Sequence, residues 1–199
     1  MSRSEFAKET AALGREMKIR IKILAALVAI MWILEILDLL FLRGAMDYFG
    51  VRPRSLAGLL GIFFSPFLHG GIGHLASNTV SFLILGWFVM FDQIRDFFVT
   101  SLIAIIFSGL GIWLFGSPNS IHIGASGLIF GYLGFLLLRG FFQRSPGWIV
   151  VSLIVGLLYG GMIWGLLPLN PGVSWQGHLF GFIGGAVAAR RYRGKRRRN

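Results

Sequence analysis

The chain reads as an all-α polytopic membrane protein: a bundle of six transmembrane helices with a large outer loop between the first and the second. Three observations lead there. Hydrophobic residues make up 55% of the 199 and charged ones only 14%, with a mean hydropathy of +0.74. A soluble domain of this size cannot hide that much apolar surface, so lipid is the expected solvent. Apolar stretches recur at residues 23–42, 74–91, 97–115, 126–138, 148–167 and 177–189. Basic residues gather at the chain ends, with six of the 19 Lys and Arg in residues 3–22 and seven in residues 190–198.

Residues 1–22 form a basic, polar N-terminal tail, expected in the cytoplasm. A signal peptide would also begin with a basic stretch, but the run at 23–42 outlasts a signal core and no clear small-residue cleavage site follows it. It reads as a retained first span. Residues 43–73 form the one large loop. The fourth and sixth spans are the shortest and richest in glycine, which suits helices packed backbone to backbone inside a bundle. Gly177, Gly181 and Gly185 make a double G-x-x-x-G, and Gly127, Gly131 and Gly134 line the fourth span. Residues 23–190 thus form a single six-helix domain, followed by a basic cytoplasmic tail at 191–199.

Charge placement orients the bundle. With the N-terminus inside, sixteen basic residues fall inside and only Arg43, Arg52 and Arg54 fall outside, so both termini are expected in the cytoplasm. The net charge of +11 flanks apolar segments instead of forming a basic face studded with aromatics. Anionic lipid headgroups, not nucleic acid, are the partner that this pattern suits. The chain has no cysteine, which removes disulfides, thiolate metal sites and a cysteine nucleophile together, and leaves the redox compartment open.

Depth counting brings polar residues together. The second, fourth and sixth spans start outside and end at charged residues inside. Ser126 lies about 20 Å above Arg139, His178 about 18 Å above Arg190 and Asn78 about 21 Å above Asp92, at 1.5 Å per residue. In a hydrocarbon core about 30 Å thick they share one plane, which implies a polar cavity opening outward.

A serine hydroxyl needs a base to take its proton, and His178 is the histidine level with Ser126. No Asp or Glu follows Asp96, so the unit would be a Ser–His dyad. Glu35 could reach the same level as an orienting carboxylate, although Glu35 and Asp38 read more simply as partners of the outer loop or a neighbouring helix. An oxyanion also needs donors. Ser126 opens a helix and offers its backbone N–H. His74 and Asn78, spaced i, i+4, share a face at the start of the second span. Taken alone, Asn78 also reads as helix glue and His74 as an interfacial residue.

The ordered set carries a family resemblance. Gly50-Val51-Arg52-Pro53-Arg54, Ser65-Pro66-Phe67-Leu68-His69-Gly70-Gly71, His74-Leu75-Ala76-Ser77-Asn78, Gly124-Ala125-Ser126-Gly127 and Gly177-His178-Leu179-Phe180-Gly181 together resemble the rhomboid intramembrane serine proteases in their minimal six-helix form. The resemblance covers about residues 23–190. It implies a serine protease, a hydrolase that cuts single-span membrane proteins near the outer end of their helix. Ser126 would be the nucleophile and His178 the general base, with His74, Asn78 and the Ser126 N–H as the oxyanion hole. His69 would be structural, Gly124 and Gly127 would frame the serine, and Gly181 would let the fourth and sixth spans approach. Neither metal nor cofactor is implied. The sequence departs from the family at two places. Leu60 and Gly61 stand where many bacterial members carry Trp-Arg. Phe130 replaces a common tyrosine, keeping the ring that supports the histidine but not its hydroxyl. His122 is expected in a loop roofing the site.

Rival chemistries lack their residues. No H-E-x-x-H occurs, and Asp92 and Asp96 lie in one inner turn rather than on two facing helices. A small transporter would fit glycine-rich helices and midplane polar residues, but no inverted repeat is evident. A silent relative that binds or escorts membrane proteins would usually lack the serine or the histidine. A substrate helix is expected to dock laterally between the second and fifth spans. The membrane expected is a bacterial plasma membrane, with the site facing outward.

Overall fold

The computed structural model describes residues 2–170 and 172–193, and among these every regular element is helical. Helix α1 (Arg3–Leu37) is the longest and continues through a π turn at Asp38–Leu42. It starts at a capping box: the Ser2 side chain accepts from Glu5 N–H, and Glu5 reaches back to Ser2 N–H. The helix passes residue 22 without a break, so the N-terminal tail and the first span are one rod. About 60 Å long at 1.5 Å per residue, it is twice a hydrocarbon core, and its basic first half must lie outside the lipid.

The connection at 43–71 is more structured than a loop. It carries a 3-10 turn at Ala45–Phe49, then helix α2 (Leu56–Phe64), then a second 3-10 turn at Ser65–Phe67. Helices α3 (Ile72–Val89), α4 (Ile94–Phe115), α5 (Ser126–Gln143) and α6 (Pro146–Tyr159) follow. A 3-10 segment, Gly160–Leu166, then leads towards α7 (Trp175–Arg190). Among the described residues five helical stretches are long and apolar enough to cross a membrane: Arg3–Leu42, Ile72–Val89, Ile94–Phe115, Ser126–Gln143 and Pro146–Leu166. Helix α7 has 16 residues and lies inside the bundle.

Helix α5 is the centre. It packs on α3, α4, α6 and α7, and 72% of its most apolar window is buried, against 11% for α6. Glycine brings α5 and α7 together: a Cβ on Gly181 would sit 2.0 Å from Gly127 O, and one on Gly185 would sit 1.8 Å from Gly131 O. The small residues of the two helices interlock as the G-x-x-x-G spacing predicts. Helix α5 runs five residues past the expected end at 138. Arg139, counted above as an inner-surface charge, is buried and paired with Asp92 and Asp96 at 2.7 and 2.8 Å. A neutralised arginine does not stop a helix.

Candidate active site

The strand of chain leading to Ser126 is fixed by backbone bonds to the 43–71 connection. Val51 and His122 exchange two N–H···O bonds of 2.9 and 3.0 Å, and Gly124 N–H donates to Ser65 O at 2.8 Å. Ala125 N–H points at His69 Nε2, 3.4 Å away. Gly124 has φ +112, a conformation L side chains rarely adopt, and a Cβ there would fall 2.7 Å from the His74 ring. Glycine lets the chain turn and places Ser126 as the first residue of α5, where helix N–H groups have no intrahelical acceptor.

His178 enters from α7. Its Nε2 lies 2.9 Å from Ser126 Oγ, and its Nδ1 lies 2.9 Å from the carbonyl oxygen of Gly165. A carbonyl can only accept, so Nδ1 carries the proton and Nε2 offers its lone pair to the serine. Phe130, one turn into α5, stacks on the imidazole with ring centroids 4.1 Å apart and 13° between planes. This contact uses the ring alone and needs no hydroxyl.

A cavity of about 540 Å³ opens beside the pair, lined among others by His74, Asn78, Ser126, Phe130, Met162 and His178. Asn78 Nδ2 is buried without an acceptor, so an unspent donor sits in the cavity wall. His74 packs edge-on against His69, ring centroids 5.2 Å apart. His122 also lines the cavity, and its Nε2 is 2.8 Å from Ser120 Oγ. Burial, and then the nearby His74, push His69 down to about 4, and burial lowers His122 as well. Both are neutral at pH 7, which leaves His69 Nε2 free to accept from Ala125.

Of the two buried carboxylates of the first span, Asp38 serves the connection: its Oδ1 accepts from Met46 N–H at 3.0 Å. His178 Nδ1 meets the Gly165 carbonyl and not Glu35. No sequence signal marks it, because any residue supplies a carbonyl. Among the described residues no group of three His, Asp or Glu could hold a metal ion.

A model of the Rhomboid domain matches residues 56–194, well over half of the chain. The chain belongs to the rhomboid family. An uncharacterized protein of Mycobacterium tuberculosis (strain ATCC 25618 / H37Rv) is 43% identical over 171 residues, covering 81% of this chain and 70% of that protein. Rhomboid protease GluP of Bacillus subtilis (strain 168) is 36% identical over 130 residues, 61% of this chain and 24% of GluP. Putative rhomboid protease YdcA of the same strain is 29% identical over 127 residues, 59% of each chain. The family is one of intramembrane proteases, generally serine enzymes, and this rhomboid is an integral membrane protein with several apolar helices. The matched region holds every residue of the site: His69, His74, Asn78, Ser126, Phe130, Gly165 and His178.

Proposed function

We propose that this rhomboid is an active serine endopeptidase that cleaves single-span membrane proteins through a Ser126–His178 dyad. The observation that carries the reading is the 2.9 Å contact from Ser126 Oγ to His178 Nε2, with Nδ1 held by Gly165 O. A nucleophile is in reach of a base whose tautomer is already correct. Helices α1, α3, α4, α5, α6 and α7 are the six spans and 43–71 is the outer connection. Both termini lie in the cytoplasm of a bacterium, with the cavity opening to the outer side of the plasma membrane. Residues 23–190 act as the catalytic domain between two basic tails.

A substrate helix enters laterally between α3 and α6, the span held by least burial, and its outer end unwinds because a continuous helix shields its own carbonyls. Ser126 Oγ attacks the exposed carbonyl carbon as His178 Nε2 takes its proton. The imidazolium keeps its Nδ1–H on Gly165 O. The oxyanion accepts from Ser126 N–H, Asn78 Nδ2 and a His74 N–H, and the buried amide gains the acceptor it lacks at rest. His178 returns its proton to the leaving amine, and the acyl bond breaks when water from the cavity attacks with His178 again as base.

The test is purified protein in liposomes with a fluorescent single-span reporter, wild type beside Ser126→Ala. Wild type cuts near the outer end of the reporter helix and Ser126→Ala does not. Equal cutting by both removes Ser126 as nucleophile. Binding without cutting by either favours a silent relative that escorts membrane proteins.

A further inference from the structure

Two arginines stand two residues apart in Arg52-Pro53-Arg54, and the fold uses only one. Arg54 donates to Leu114 O at 3.1 Å and to Gly116 O at 2.9 Å, capping the last carbonyls of α4. Arg52 has a buried Nε without an acceptor. Its guanidinium makes no side-chain hydrogen bond among the described residues, and no carboxylate comes within ion-pair range of it. Arg52 is partly exposed, so its charge is within reach of an acceptor from outside the chain, and the buried Nε donor finds none within it. The backbone holds it there rigidly. Val51 is bridged to His122, Ser55 N–H donates to Arg52 O, and a Cβ on Gly58 would fall 2.2 Å from that same oxygen.

Arg52 is the one charged residue lining a cavity of about 770 Å³ between α1 and α2. The rest of its wall is almost wholly apolar, with Ile30, Leu34, Phe49, Ala57, Leu60 and Phe64 among its residues. The volume lies in the range of small-molecule sites. Leu56, Leu60 and Phe64 are exposed at 83%, 67% and 53%, which places this connection against acyl chains and not in bulk water. A long apolar trough with one unspent cation on its wall is complementary to a single class of molecule.

We propose that this cavity is a binding site for an anionic phospholipid, its phosphate on the Arg52 guanidinium and an acyl chain between α1 and α2. The site stands apart from the basic tails, at the other end of α1, and reads the leaflet next to the active site. Through the Val51–His122 bridge a bound lipid steadies the segment that delivers Ser126.

Native mass spectrometry of the full chain in mild detergent, given equal phosphatidylglycerol and phosphatidylcholine, tests this without any assay of cleavage. Wild type should retain one phosphatidylglycerol with about tenfold preference or more, because phosphatidylcholine offers Arg52 the same phosphate but brings a choline cation that repels the guanidinium. Arg52→Gln should retain both lipids equally. Ala57→Phe, which fills the trough, should retain neither. Arg43→Gln, an exposed arginine of the same connection, should behave as wild type. Circular dichroism and gel filtration identify any variant that fails to fold; for a failed Arg52→Gln, Arg52→Lys replaces it and should show a reduced preference. No preference in wild type, a full preference in Arg52→Gln or its loss in Arg43→Gln would overturn the site. Displacement of the lipid by excess inorganic phosphate alone would overturn the lipid in favour of a simple anion site.

Discussion

At His178 a backbone carbonyl occupies the place a carboxylate takes in a three-residue catalytic unit. It fixes the tautomer equally well but meets the imidazolium with a dipole instead of a full charge, so its worth depends on being close. Gly165 secures that closeness, since a Cβ there would lie 2.8 Å from Phe130 Cζ and 3.4 Å from His178 Nδ1. Gly165→Ala should therefore push the carbonyl off the ring. With a charge-assisted bond worth ~1.5–3 kcal/mol, turnover should fall about 10–100-fold with KM little changed. Steady-state kinetics on the reporter check this, and a wild-type kcat would show that the carbonyl is not the orienter. His69 makes a prediction about pH. Its folded value of about 4 lies below the ordinary histidine value, so the unfolded chain takes up a proton first as pH falls. Stability is then constant above about pH 6.5 and is lost between there and about 4. Melting temperatures in detergent should drop across that window, and the drop should shrink in His69→Gln. An unchanged slope would mean that His69 is protonated in the fold.

Among the elements, α5 and α7 are joined by glycines with no room to spare. Gly185→Ala places a methyl against the Gly131 carbonyl, backbone on backbone, where no rotamer can yield. It should destabilise by about 1–3 kcal/mol. Gly14→Ala, with nothing within 4 Å in α1, should be neutral or gain up to about 1 kcal/mol from helix propensity. Thermal unfolding of the two variants decides it, and equal effects would refute backbone contact as the reason. This pairing was legible in the sequence because close helix contact needs small residues at a four-residue period. Ser126 and His178 were legible because a fixed rise per residue turns spacing into depth. Helix α2 was not legible: Leu56–Phe64 lacks a side-chain cap and is too short to cross a membrane, so periodicity hid it within the connection. Arg139 was misread for a related reason. A sequence shows a charge but not the two aspartates that another helix brings to it.

On the scale of the whole molecule, one side chain locks the end away from the cavity. Away from the cavity, Arg139 donates to Asp92 and Asp96 and to Gln143 Oε1. Its guanidinium lies 3.7 Å from the Trp148 ring centre and 3.9 Å from that of Tyr192. Trp148 Nε1 donates to Asp92, and the Tyr192 hydroxyl meets Asp96. One side chain on α5 thereby ties the turn before α4, α4 itself, the start of α6 and the end of α7. Helix α6 is held at Trp148 and again at Ser152, which accepts from Gly140 N–H and donates to Leu136 O, and at the buried Val155; on the proposed lateral entry, the part left to move is the stretch past Val155. Removing Arg139 strands two carboxylates. Arg139→Leu should cost about 3–5 kcal/mol, a fall of roughly 6–20 °C in Tm. Adding Asp92→Asn and Asp96→Asn should restore part of that, because the stranded charge, not the lost pairing alone, causes most of the damage. Arg139→Leu melting with wild type would show that the far end is held by packing alone.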